Sequence, residues 1–383
     1  MHRAASFIKF ASLAMVVATT LVTVTFIHEV HRPTEVTNYE DASKGHESFA
    51  RWILGNDDDD THKEHAVHRQ IKARTKYSIT VDGSYKINNR NICRGVDKVS
   101  VIVIVHTAPD HFFIRSEMRR TWLNTTFYSP ESVRVAFLLG MVKDSSTQMK
   151  IEKEAHEHQD IVQGGFIDSY RNLTNKGVLG YRWITENCMN AEMVVKVDDD
   201  ALINFFKYFE EIRNNLVKKK KNIFCNRIAP NSMPIIRKRN SKWYVQADEY
   251  RSFSMYPHMY CSGFVVFIST DLVPALFHAA IGAPFFWVDD FFLFGLLPSR
   301  VKDVNFDNYE KNLTFSHPEG VKCYKEKHSN CTYFVMPAKN KEIDVMWKAV
   351  IQDRTQSNYG YYYMKLKPLN KDPTSPLSGA FIT

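Results

Sequence analysis

The chain has 383 residues, of which 44% are hydrophobic and 24% charged. These fractions exclude wholesale disorder, a collagen-like fibre and a coiled-coil rod, and the length allows one large buried core or two smaller ones. Lys plus Arg number 50 against 42 Asp plus Glu, a net charge of +8. Over so long a chain this mild surplus suits anionic or phosphate-bearing partners and does not single out nucleic acid.

Residues 10–27 read FASLAMVVATTLVTVTFI and carry no charge. As a helix they would span roughly 27 Å, about one thin bilayer core. Arg3 and Lys9 lie before the stretch. The positive-inside bias therefore predicts a cytoplasmic tail over 1–9, a signal-anchor over 10–27 and the remainder across the membrane. A cleaved signal peptide is the competing reading, although its apolar core is usually shorter, about 7–15 residues. Both readings send the bulk of the chain into the secretory lumen. Four Asn-x-Ser/Thr sequons, at Asn124, Asn172, Asn312 and Asn330, agree with that compartment. So do six cysteines without zinc-type spacing, which point to disulfides rather than metal ligation. Their spacing selects no pairing.

Residues 28–95 are polar and His-rich and read as a lumenal stem. Their acidic run Asp57–Asp60 follows no apolar strand and is expected to be a solvated tether. From 96 to 351 the pattern is that of an α/β domain. VSVIVIV (99–105), VRVAFLL (133–139), MVVKV (193–197) and FVVFI (264–268) are strand-like apolar runs. Helix-like stretches lie around 114–123, 147–158, 176–190 and 203–219. Alternation of this kind predicts a mostly parallel sheet covered on both faces, with ligands outside the carboxyl ends of the strands. Residues 352–383, rich in Tyr and then in Pro and Ser, read as a C-terminal extension.

Four stretches carry chemistry. VVKV ends in Asp198-Asp199-Asp200, three carboxylates at a strand end, a donor set suited to a hard divalent ion bridging a diphosphate. A solvated acidic turn is the plain alternative. Arg115, Arg119 and Trp122 are spaced along one helical face, so two guanidiniums could clamp phosphates; a solvated basic face would look the same. Asp289 and Asp290 interrupt an aromatic stretch, PFFWVDDFFLFG, where desolvation would raise their basicity and suit a general base. One of them can instead cap the following helix. Finally, Tyr256-Pro-His-Met-Tyr-Cys-Ser-Gly263 leads into FVVFI; a glycine there marks a close approach or a plain turn.

Taken in order, RSEMRRTW (115–122), FLLG (137–140), DIVQGGFIDSYRNLTNK (160–176), KVDDD (196–200), SKWYV (241–245), YPHMYCSGFVVF (256–267) and DDFFLFG (289–295) resemble the β-1,3-galactosyltransferase family, which includes related β-1,3-N-acetylglucosaminyltransferases. The resemblance covers about 98–350. It implies a GT-A (Rossmann-like) glycosyltransferase domain, a Golgi type II membrane layout and inversion to a β1,3 linkage. The donor it implies is a UDP-sugar, UDP-galactose or UDP-GlcNAc, with Mn2+ or a similar divalent cation. The acceptor would be a glycan on a glycoprotein or glycolipid. By the same resemblance Asp200 and Asp198 are the metal ligands and Asp290 the catalytic base. Arg115, Arg119, Trp122, Lys176, Asp198, Asp199 and Asp289 fall with the substrate-binding residues.

Two departures stand out. The second acidic motif usually begins with Glu and here begins with Asp289. Many members carry a histidine eleven residues before a C-terminal tryptophan; counting back from Trp347 reaches Met336, a poor ligand for a hard ion, and the nearest histidine is His328. Met336 keeps open a non-catalytic relative that only binds nucleotide-sugar or glycan. A two-carboxylate glycoside hydrolase would have no use for a basic phosphate-facing helix, and a structural membrane glycoprotein would leave the ordered acidic motifs unexplained.

Overall fold

The computed structural model describes residues 83–356. The expected cytoplasmic tail, signal-anchor, acidic run and most of the stem and C-terminal extension lie outside those residues. Among the described residues no helix is long and apolar enough to cross a membrane.

An eight-stranded mixed sheet, in the order β1-β4-β3-β2-β5-β8-β7-β9, organises the domain. Its strands are β1 (Tyr85–Asn88), β2 (Val101–His106), β3 (Val133–Met141), β4 (Ile161–Ile167), β5 (Met193–Asp198), β7 (Asn222–Ile228), β8 (Tyr260–Ser269) and β9 (Asn305–Asn308). β6 (Ala201–Ile203) pairs separately with β10 (Val335–Pro337). The run β4-β3-β2-β5 is parallel, as the apolar runs predict. β8 then runs antiparallel to β5, and β7 antiparallel to β8. The sheet is therefore mixed rather than mostly parallel. Its parallel half builds the ligand edge.

Six strands, β1, β4, β6, β7, β9 and β10, lie outside the four apolar runs, and for β4 and β1 the physical reason is plain. β4, IVQGGFI, contains two glycines and a glutamine, weak signals for a buried strand. Gln163 is nevertheless fully buried, because its amide donates to the Gly140 carbonyl at 2.8 Å and pairs with Gln148. β1 lies within the stretch expected to be stem; it joins the sheet edge antiparallel to β4. A disulfide, Cys93–Cys188, fastens the same segment to the end of the helix before β5. Cys225–Cys261 ties β7 to β8, and Cys323–Cys331 closes a short loop. All six cysteines are thus paired.

Helices α1 (Phe112–Arg120), α2 (Ser145–His158) and α3 (Leu173–Asn187) connect the parallel strands. α4 (Val273–Ile281) packs on α3. α5 (Asp289–Phe291) continues through a π-helical turn to Ser299. α6 (His317–Lys327) and α7 (Glu342–Gln356) pack together at the C-terminal side. Gly177 lets α3 approach the chain after α5: an added Cβ there would meet Leu293 at 2.1 Å.

Candidate active site

β2 and β5 lie side by side and in parallel, with His106 opposite Asp198, so Thr107 and the three carboxylates emerge at one sheet edge. Each carboxylate then takes a different partner. Asp199 is held from two sides: its Oδ2 accepts from the Thr107 hydroxyl at 2.6 Å and lies 2.7 Å from His111 Nδ1. Its N–H donates to the His106 carbonyl. Asp198 Oδ1 accepts from Lys196 Nζ at 2.6 Å, while 41% of the side chain stays open to solvent. Asp200 has its carbonyl bonded to the Ala338 N–H and its carboxylate 3.5 Å from Lys339 Nζ.

Lys196 is the centre of the site. It interrupts an otherwise apolar strand, and its side chain is 5% exposed. It donates to both Asp198 and the Gly263 carbonyl. Burial alone would push its pKa down; the charges of Asp198, Asp289 and Asp290 outweigh this and hold it above its ordinary value.

Asp289 and Asp290 occupy the first turn of α5. The cap position falls to Val288, and no side chain caps there, so neither aspartate takes the capping role left open above. Burial raises both carboxyl groups. For Asp289 the neighbouring Asp290 charge adds to that, pushing it up to about 8. Asp290 is restrained by Lys196 and by the Gly263 N–H that it accepts. Asp290 is therefore the member of the pair that meets both a backbone donor and the charge of a buried cation. Burial likewise raises Asp198 to about 6, with Lys196 opposing; its open face lets water favour the ionised form.

The expected phosphate clamp departs from this picture. Arg115 is fully buried, and its guanidinium donates to Glu154, to the Ala108 carbonyl at 2.7 Å and to the Pro109 carbonyl at 3.1 Å. Arg119 is engaged by Asp160 and Glu154 at 2.7–2.8 Å. Trp122 is in the core against Phe205. The spacing does place them on one helical face, and that face meets Glu154 of α2 and Asp160 just beyond it. Arg115 braces the turn after β2 through the Ala108 and Pro109 carbonyls, and Arg119 ties α1 to Glu154 and Asp160. Lys176 is buried too, donating to the Thr107 carbonyl at 2.6 Å and pairing with Asp168 at 2.9 Å. It braces the same turn from the other side.

Lys196, Thr107 and His111 were missed. A lysine inside VVKV was the available signal, since a charge on a buried strand needs a partner; nothing local pointed to Thr107 or His111, which meet Asp199 across some ninety residues of chain. A cavity of about 490 Å³ lined by Arg237, Tyr244, Arg251 and Phe253 involves none of these carboxylates.

A divalent ion can be tested against the donor set. Among the described residues no three His, Cys, Asp or Glu side chains converge on one point. Asp199 is already engaged by Thr107 and His111. Met336 is fully buried in β10, opposite Leu202 of β6, and His328 faces Asp353. Asp198 and Asp200 are the partly exposed carboxylates at this strand end, each keeping one oxygen clear of its lysine partner, Lys196 or Lys339. That set fits a hard ion completed by substrate phosphates and water, not a protein-closed cage.

Residues 114–308 match the family model described as galactosyltransferase, a span that contains both acidic motifs and Gly263. The chain is 32% identical over 221 residues to the zebrafish (Danio rerio) lactosylceramide 1,3-N-acetyl-beta-D-glucosaminyltransferase A, a match covering 55% of this chain and 56% of that protein. It is 30% identical over 262 residues to mouse (Mus musculus) beta-1,3-galactosyltransferase 5, covering 67% of this chain and 80% of that one. A solved structure of the WbbM bifunctional glycosyltransferase is a looser likeness, with TM-score 0.36 and 10% identity over 70% of this chain and 52% of that chain. With half of its length under the family model, and a relative at 30% identity over two thirds of it, this chain belongs to the galactosyltransferase family.

Proposed function

We propose that the protein is a GT-A glycosyltransferase that moves a hexose from a UDP-sugar to an acceptor hydroxyl in β1,3 linkage, with inversion. The observation that carries this reading is Lys196, one buried cation in contact with the donor-edge carboxylate Asp198 and within charge reach of Asp289 and Asp290. Family membership and the β1,3 chemistry in the relatives' names support it.

In this mechanism Asp290 takes the proton of the acceptor hydroxyl. The acceptor oxygen bonds to the anomeric carbon as the bond from that carbon to the diphosphate oxygen breaks, and UDP departs with the electron pair. Single displacement needs no protein nucleophile and inverts the centre. Mn2+ or a similar ion on Asp198 and Asp200 would supply Lewis-acid stabilisation to the leaving diphosphate. Asp199, held by Thr107 and His111, orients the donor edge, and the Lys196 charge opposes the burial that raises Asp290 beside it. The donor is UDP-galactose or UDP-GlcNAc, and the acceptor a glycan on protein or lipid. Three disulfides agree with a secretory lumen, where a type II anchor would place the domain in the Golgi.

The test is a donor screen with the full chain in detergent, UDP-galactose against UDP-GlcNAc, on several β-linked acceptors with and without Mn2+. Acceptor-dependent UDP release with one donor is the expected result; donor binding without release in every arm would favour the binding-only relative to which Met336 points.

A further inference from the structure

Gly263 stands inside β8, where a glycine weakens the strand and must have a reason. The reason is not backbone geometry. Among the described glycines only Gly95 has a positive φ, so the main chain at 263 would accept any residue. The obstruction comes from side chains. A Cβ added at Gly263 would lie 1.8 Å from Asp290 Oδ1, 2.8 Å from its Cγ and 3.3 Å from Lys196 Nζ. Gly177 is also crowded, but by the apolar Leu293. At Gly263 the crowding groups are two charged side chains of the site.

The same residue serves both groups through its backbone. Its N–H donates to Asp290, and its carbonyl accepts from Lys196. Cys261, two residues earlier, is bonded to Cys225, which fixes the entrance of β8 against β7. The peptide that meets the carboxylate is thereby anchored.

We propose that Gly263 is a positioning residue for the reaction: the space left by its missing side chain is the seat of the Asp290 carboxylate, and its two backbone groups hold acid and cation in register. The proposal rests on Asp290 being the base. A displacement of about 1 Å at a reacting group costs on the order of 100-fold in rate, whereas a packing defect alone would change stability without a selective loss of kcat.

The experiment compares Gly263→Ala, Asp290→Asn and the double variant in the full chain, with UDP-release kinetics and UDP calorimetry. Gly263→Ala is expected to lower kcat by roughly 100-fold while donor KM and UDP affinity stay within about twofold. In the Asp290→Asn background the same change is expected to cost nothing further. Wild-type turnover by Gly263→Ala, or an equal further loss in both backgrounds, would overturn the proposal. Should Gly263→Ala fold poorly, the thermal midpoint of Gly263→Ala/Asp290→Ala decides the seat. A midpoint restored to that of Asp290→Ala supports it; the same damage without the carboxylate refutes it. Full turnover by Asp290→Asn alone would instead remove the base itself, with the thermal comparison still reporting on the seat.

Discussion

Two buried ionic clusters flank the edge of this sheet, and they differ in charge balance. Around α1, Arg115 and Arg119 face Glu154 and Asp160, two cations against two anions, all joined by hydrogen bonds. Around Lys196, one lysine in contact with Asp198 also serves Asp289 and Asp290, with Lys176 acting on Asp198 as well, so two cations face three carboxylates. In the first cluster Glu154, which burial would raise, is pulled below the ordinary carboxylate range by its arginines. In the second, the carboxyl groups are raised. A balanced cluster holds structure; an excess of anions over cations keeps proton affinity available for chemistry.

That contrast can be broken most sharply at Asp290. Asp290→Asn keeps shape and removes the proton acceptor, so turnover should fall by about 10²–10⁴-fold with UDP affinity retained; steady-state kinetics beside calorimetry measure both. On the balanced side, Arg115→Met leaves Glu154 with part of its charge uncompensated. Denaturant unfolding should report a loss of about 3–5 kcal/mol, with a smaller change in UDP affinity. If Arg115→Met abolished UDP binding in a fully folded protein, the first cluster would join the donor site after all.

Smaller effects sharpen the second cluster. Asp200→Ala should weaken metal-dependent UDP binding by about tenfold, since one of two carboxylates is lost. Metal titration by calorimetry reads this directly, and an unchanged metal dependence would contradict the assignment. The acid limb of the rate profile completes the set. Asp290 works only when ionised, and its pKa is raised, so kcat should fall with decreasing pH at a midpoint above the ordinary aspartate value of about 3.9. Lys196 lowers that pKa, so Lys196→Met should move the midpoint upward in whatever activity remains.

How far the site could be read from the chain depended on the range of the interaction. Asp198–Asp200 and Asp289-Asp290 are legible because carboxylates beside apolar runs stand out locally. Arg115 and Arg119 were legible as a helical face, but their partners Glu154 and Asp160 lie 35 to 41 residues away. Without those partners a structural face cannot be told from a phosphate clamp. β4 was illegible because its polar Gln163 is satisfied only by residues on neighbouring elements.

By itself the sequence determined the α/β class, the family and the two acidic motifs, since each depends on local periodicity or on an ordered set of short segments. Which carboxylate faces a cation, and which arginine is already engaged, was decided by tertiary structure alone. So were the antiparallel half of the sheet and the role of the glycine at 263. These depend on electrostatic and steric contacts at a few ångströms between residues far apart in the chain, and such distances exist only once the sheet has formed.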